Sequence, residues 1–285
     1  MPMAKCKTDS GSAATAASFL LVPNGPLRVS IDARAILIVG LIFLVTTAAS
    51  AATTSSGSRS ALDVIWLWSP LLLWGFLFNL LISAAAMLIG TIAGVPLGIL
   101  QTSHVGPVRR VAWFITQFFR NSPWLVLLFL CVFLLPFRFT VFGYTVMLPD
   151  WAKAVIGFAL PVMANVSEIV RGAIQSVPTG QWESSASLGF NRRQTLSMIV
   201  LPQCYKRMLP PWMNLYSLIT MSTVNASVVG VSEMITLTND VLAAEGSRPA
   251  LLAPLYGFAL LCFFIYCYPI ARWTQALERR FNVRG

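Results

Sequence analysis

The sequence predicts an all-α, polytopic membrane protein, and three observations carry that expectation. Hydrophobic residues make up 56% of the 285 and charged residues only 11%, with a mean hydropathy of +0.73, a balance unlike that of soluble domains. Several windows approach or exceed the roughly 20 apolar residues needed to cross a bilayer. The basic residues behind the net charge of +10 sit in short clusters beside apolar runs. That is the pattern of topology signals rather than of a stripe that binds nucleic acid.

Residues 1–30 are rich in Ala, Ser, Pro and Gly, carry Lys5, Lys7 and Arg28, and show no period that buries a face. They read as a disordered cytoplasmic tail. Residues 31–54 begin near Arg34, run apolar, and pass through the small residues AASAA. This segment fits an extra N-terminal transmembrane span or a late signal segment cleaved near Ala51.

The core occupies residues 62–280. Trp66, Trp68 and Pro70 mark an outer interfacial helix ahead of a span over about 71–100. Within that span Gly90, Gly94 and Gly98 recur every four residues, so one helix face lacks side chains and admits a close neighbour. A short loop over 101–110 carries Arg109 and Arg110. Next come Arg120, Asn121, Ser122 and Pro123, between apolar stretches 111–119 and 124–137. A charge followed by proline does not sit against lipid at the midplane. Either Arg120 marks the inner interface, or the helix is broken beside an aqueous path.

Residues 138–150 read as a brief outer loop. Residues 151–171 read as a span kinked at Pro161, with Asn165, Ser167 and Glu168 toward its inner half. Glu168 and Arg171 lie three apart on one face; either they pair at the membrane edge, or Glu168 faces a substrate path.

A polar stretch over 183–202, ESSASLGFNRRQTLSMIVLP, then interrupts the apolar pattern within a loop over 172–210. Residues 181–188 are compatible with a helix, Gly189 is its expected C-cap, and Asn191 is a good N-cap for a second helix that Pro202 stops. Pro210 and Pro211 suit the first turn of a helix over about 212–233. That helix is unusually polar. Thr220, Thr223 and Ser227 share one face and Ser222 and Asn225 lie nearly opposite, which places it inside a bundle. An outer loop over 236–250 carries Asp240, Glu245 and Arg248. The last span, over about 251–270, is followed by Arg272, Arg279, Arg280 and Arg284.

This threading gives six spans with both termini cytoplasmic, or five if the first is removed. It leaves only Arg59, Arg138, Lys153 and Arg248 of the 20 Lys and Arg outside, in line with the positive-inside rule. The five cysteines show no CxxC spacing and His104 is the only histidine, so no metal site is expected and His104 reads as a surface residue.

Glu183, Gly189, Ile199, Leu201 and Pro202 have the spacing of the cytoplasmic EAA loop of bacterial ABC importer permeases, which it resembles; Ser184 and Ser185 replace the two alanines. FRNSP at 119–123 resembles the FRGTP of the polar amino-acid branch. With 167–203, PPWMNLYSLI and SVVGVSEM, the chain over about 71–280 is similar to histidine/glutamine-type permeases of polar amino-acid ABC importers. The first 60 residues are not covered.

The resemblance implies a type I ABC importer permease fold of five core transmembrane helices, here with one extra N-terminal span, in the bacterial inner membrane. It implies as partners cytoplasmic ABC ATPase subunits, a second permease that is a copy or a paralogue, an extracytoplasmic solute-binding protein and the lipid bilayer. The function implied is import of a polar or charged amino acid or a relative such as an opine. Carried over, Glu183, Ser184, Ser185 and Gly189 belong to the ATPase-coupling region; charge and position add Arg192 and Arg193. One departure is Met221, Ser222, Thr223 and Val224 where many members carry Lys-Asp-Thr-Ser.

For the substrate pathway the candidates are Asn165, Glu168, Thr220, Thr223 and Asn225, whose alternative role is hydrogen bonding between helices. No cofactor is expected on this chain. None of Lys5, Lys7, Lys153 and Lys206 follows the glycines of a phosphate loop, so ATP and Mg belong to the partner ATPase and the chain itself is not expected to be an enzyme. The competing reading, a gradient-driven secondary transporter or channel, calls for ionisable midplane residues and duplicated halves. Only Glu168 answers to the first, and the glycine stripe has no counterpart in the second half.

Overall fold

The computed structural model describes residues 59–141 and 144–281, and Gly40. The tail over 1–30 and the extra segment over 31–54 otherwise lie outside the described residues. The core begins with α1 (Ala61–Gln101), a single helix of 41 residues. The expected interfacial helix and span are therefore one element. Pro70 removes a donor inside α1 and frees the Trp66 carbonyl; the Ser69 hydroxyl donates to that carbonyl at 3.0 Å, so the helix continues. Its start is fixed by a capping box between Ser60 and Asp63.

α2 (Gly106–Asn121) and α3 (Trp124–Leu134) are bent by 102° at Ser122 and Pro123. The helix is thus broken beside Arg120. The expected loop over 138–150 contains a two-stranded antiparallel hairpin, β1 (Arg138–Val141) and β2 (Tyr144–Met147), with Arg138 opposite Met147. It is the only strand pair among the described residues. α4 (Asp150–Gln175) follows, with Pro161 inside it.

The central contact of the bundle is α1 on α4, and the glycine stripe makes it. A Cβ at Gly94 would stand 2.6 Å from the Met163 carbonyl oxygen, and one at Gly98 would stand 2.6 Å from that of Ser167; one at Gly90 would strike Val162. Backbone meets backbone there, which favours dispersion contact where lipid offers no hydrophobic gain. Val162, Val166 and Val170 of α4 fill the stripe and are buried.

After α4 come α5 (Thr179–Ser187), a single turn over Arg192–Gln194, and π-helical residues Thr195–Val200 that run directly into α6 (Leu201–Ser222). Pro202 was expected to stop a helix; it lies in the first turn of α6 instead. The Leu201 amide bonds the Leu196 carbonyl, five residues back. This wide turn accommodates a ring that would strike the i−4 carbonyl of a regular α-helix. Pro210 and Pro211 likewise lie inside α6, not at its start.

The α-helix ends at Ser222, earlier than the expected 233, and tightens into a 3-10 segment over Thr223–Val229. Gly230, at φ +85°, turns the chain, and α7 (Met234–Ala244) occupies most of the expected outer loop. A 3-10 turn over Pro249–Leu251 leads to α8 (Leu252–Phe281), which runs eleven residues past the expected end of the span at 270.

Among the described residues three helices are long and apolar enough to cross a membrane, or five if each bent helix pair is one span. At the end of the bundle where α1 begins, Glu245 pairs with Arg248 at 3.0 Å and Arg59 at 3.5 Å, and accepts the Trp68 indole N–H at 3.1 Å. Lys153, fully buried, lies 3.5 Å from Asp150 and 3.2 Å from the centre of the Phe137 ring.

Candidate functional site

At the opposite end, α5 closes as the sequence leads one to expect. Gly189 has φ +80°, its amide bonds the Ala186 carbonyl at 3.0 Å, and the Phe190 amide bonds that of Ser185 at 3.1 Å. Together these are the two hydrogen bonds of a Schellman cap. Asn191 then caps the next turn: its side chain accepts from the Gln194 amide while Gln194 Oε1 accepts from the Asn191 amide.

The result is a helix, a left-handed glycine and a second helical turn. Of the coupling candidates, Ser185 is buried, with its hydroxyl donating to the Gln181 carbonyl at 2.6 Å. Glu183, Ser184, Gly189, Arg192 and Arg193 are exposed. So are the apolar side chains of Leu188 and Met198, at 76% and 65%.

One arginine attaches this unit to the bundle, and another ties α6 to the end of α4 just ahead of it. Arg192 donates from Nη2 to the Thr102 carbonyl at 2.6 Å, meets His104 Nε2 with Nη1, and sets its guanidinium 5.5 Å from the centre of the Trp182 ring. Arg207 on α6 donates from Nη1 to both the carbonyl and the hydroxyl of Ser176 at 2.7 Å. His104 is exposed, as expected.

The pathway candidates fall into separate groups. Glu168 pairs with Arg171 at 2.6 Å, and also lies 3.4 Å from Arg120 beside the break between α2 and α3. Gln117 approaches the same carboxylate at 3.4 Å. Two guanidinium groups around one carboxylate leave a net positive site, and the Arg120 side chain is 44% exposed. Asn165, one turn earlier on α4, donates to the Pro161 carbonyl within its own helix.

Thr223 belongs elsewhere. It accepts from the Asn79 amide at 3.0 Å, and the same amide donates to Glu233 at 2.9 Å; all three residues are fully buried. Thr220 donates to the Tyr216 carbonyl, and Asn225 is partly exposed on the 3-10 segment. Asn79 and Gln101 stand 22 residues apart on α1, about 33 Å along a helix. Gln101 donates to Ser167, the neighbour of Glu168, at 2.7 Å. The five candidates therefore do not converge on one point.

Sequence reasoning missed Asn79, Gln101 and Glu233 as structural centres. Asn79 is the one amide in the apolar run FLFNLLI, and an ionisable or amide side chain inside a span was the available signal. Among the described residues no group of His, Cys, Asp and Glu is placed to hold a metal ion.

The family described as the binding-protein-dependent transport system inner membrane component matches residues 94–283. The L-cystine transport system permease protein TcyB of Bacillus subtilis is 29% identical over 213 residues, covering 75% of this chain and 87% of that protein. The probable amino-acid ABC transporter permease protein YckA of the same organism is 32% identical over 213 residues, covering 74% of this chain and 89% of that one. In fold, the chain is similar to a crystal structure of an amino acid ABC transporter with histidines. The TM-score is 0.64 at 24% identity, over 76% of this chain and 96% of the other.

Proposed function

The chain belongs to the family of binding-protein-dependent transport system inner membrane components, and from that premise we propose that it is the membrane-spanning permease subunit of an ATP-driven importer for a polar or charged amino acid or a related compound such as an opine. The observation that carries the reading is the exposed unit of α5, Gly189 and the Arg192 turn. It is a short, rigidly capped helix pair with a small-residue surface, suited to a groove on a partner rather than to lipid.

On this reading the unit faces the cytoplasm and meets an ABC ATPase, which holds ATP and Mg. A second permease completes the pathway, and a solute-binding protein delivers cargo at the end where α1 begins. Glu183, Ser184 and Gly189 form the surface that follows the ATPase, with Ser185 buried beneath it as a small packing residue, Arg193 facing the ATPase and Arg192 beside it. The net positive site at Glu168, Arg120 and Arg171 suits the carboxylate of an amino acid, with Asn165 a turn away. Asn225, partly exposed on the 3-10 segment, extends the polar path toward the other end, while Thr220 and Thr223 are buried and hold the helices beside it.

The test is uptake into proteoliposomes carrying the complex purified from its native membrane, with its binding protein added and L-cystine, L-glutamine and L-arginine as probes. Uptake that requires ATP on the ATPase side and persists with a protonophore supports the proposal. Uptake driven by an ion gradient without ATP overturns it.

A further inference from the structure

We infer that Arg192 is a positioning residue that makes the coupling unit and the end of α1 move together, rather than a charge offered to the ATPase. This rests on the permease reading above. Arg192 and Arg193 are adjacent and both exposed, yet only Arg192 points its donors inward. Its guanidinium has three engagements within the chain: the Thr102 carbonyl, the His104 ring nitrogen and the face of Trp182.

Each engagement comes from a different place. Trp182 is on α5 itself, Thr102 is the C-cap of α1, and His104 is in the loop leading to α2. Arg192 also opens the turn that Asn191 caps, so its backbone is fixed by the capping box while its side chain reaches across. A planar guanidinium can donate in two directions in its plane and stack a ring against its face at once; a lysine ammonium cannot.

The mechanical consequence follows from α1. Through Gly90, Gly94 and Gly98 it is packed backbone to backbone on α4, and α4 leads by the chain into α5. A push on α5 thus reaches α4 by the covalent link through Ser176, and α1 through Arg192. With both routes intact, α1 and α4 shift as one body and the glycine contact between them is preserved. Without Arg192, α5 acts on α1 only indirectly, through the glycine contact with α4, and its own distance to the end of α1 is no longer held.

The experiment uses the assembled transporter with spin labels at Ser187→Cys on α5 and Arg109→Cys on α2, in a background lacking the native cysteines. Distance distributions are read by pulsed electron resonance without nucleotide and with ATP and vanadate, alongside the amount of ATPase that co-purifies. The expected result is a narrow distance that is the same in both states, which Arg192→Ala and Arg192→Lys alike broaden and make state-dependent while the ATPase is retained. Arg193→Ala should leave the distance narrow. A distance unmoved by Arg192→Ala overturns the proposal. So does loss of the ATPase on Arg192→Ala that Arg192→Lys restores, since that identifies a charge contact. If the parent chain retains no ATPase at all, the permease reading fails instead, a result separate from either distance outcome.

Discussion

Asn79 on α1 donates its side-chain amide to the Glu233 carboxylate at 2.9 Å, joining residues 154 positions apart at a point with no solvent exposure. The other oxygen of that carboxylate caps α7 by accepting from the Ile235 and Thr236 amides, and Asn79 Oδ1 accepts from the Met234 amide. One buried amide therefore sets where the 3-10 segment ends and α7 begins. Replacing Asn79 by Leu should destabilise the protein by about 2 kcal/mol, because it leaves a buried carboxyl short of a donor. Thermal unfolding in detergent measures this; an unchanged midpoint would show that Asn79 is dispensable.

The glycine stripe makes a second prediction with an internal control. Gly94→Val would force a side chain into the Met163 carbonyl and Val166, an overpacking that costs about 1–3 kcal/mol. Gly172, in the same helix system, has nothing within 4 Å of a built Cβ. Gly172→Ala should be neutral or stabilise by up to about 1 kcal/mol through helix propensity. Equal effects of the two substitutions on the unfolding midpoint would contradict the close contact of α1 and α4.

Glu168→Gln removes the charge that Arg120 and Arg171 share while keeping the shape of the side chain. If Glu168 orders the two guanidinium groups for an anionic solute, uptake should fall about tenfold, the factor that about 1.4 kcal/mol represents. Radiolabelled uptake in the reconstituted transporter reads it. Wild-type uptake would return Glu168 to a structural ion pair.

Gly189 is limited by conformation and not by space, since nothing lies within 4 Å of a built Cβ there. The left-handed backbone costs an ordinary residue about 1–2 kcal/mol, and asparagine less. Gly189→Val should abolish uptake while membrane insertion persists, and Gly189→Asn should keep a substantial part of it. Identical loss in both variants would mean that the left-handed turn is not what the residue supplies.

How far the sequence reveals this arrangement depends on how local each signal is. Gly90, Gly94 and Gly98, Gly189 and Asn191 act through their own spacing or backbone, and each performs in the structure as its type leads one to expect. Pro70 and Pro202 mislead because their missing bonds are handled nearby: the Ser69 hydroxyl serves the Trp66 carbonyl, and a π turn makes room for Pro202. α7 was hidden for the opposite reason. Its cap, Glu233, is held by Asn79 from another helix, and no local pattern announces a partner 154 residues away. The candidate coupling unit was legible down to its two caps, whereas the inward turn of Arg192 depends on the folded position of Thr102 and His104.

The coupling role of the α5 unit requires that it engage an ATPase. The chain should be tagged at its C-terminus, extracted gently from its native membrane, and its companions identified by mass spectrometry. The prediction is recovery of an ABC ATPase that is lost when Glu183→Ala and Gly189→Val are combined, with the permease still inserted. Recovery of the chain without an ATPase, under conditions that keep other membrane complexes intact, would contradict it.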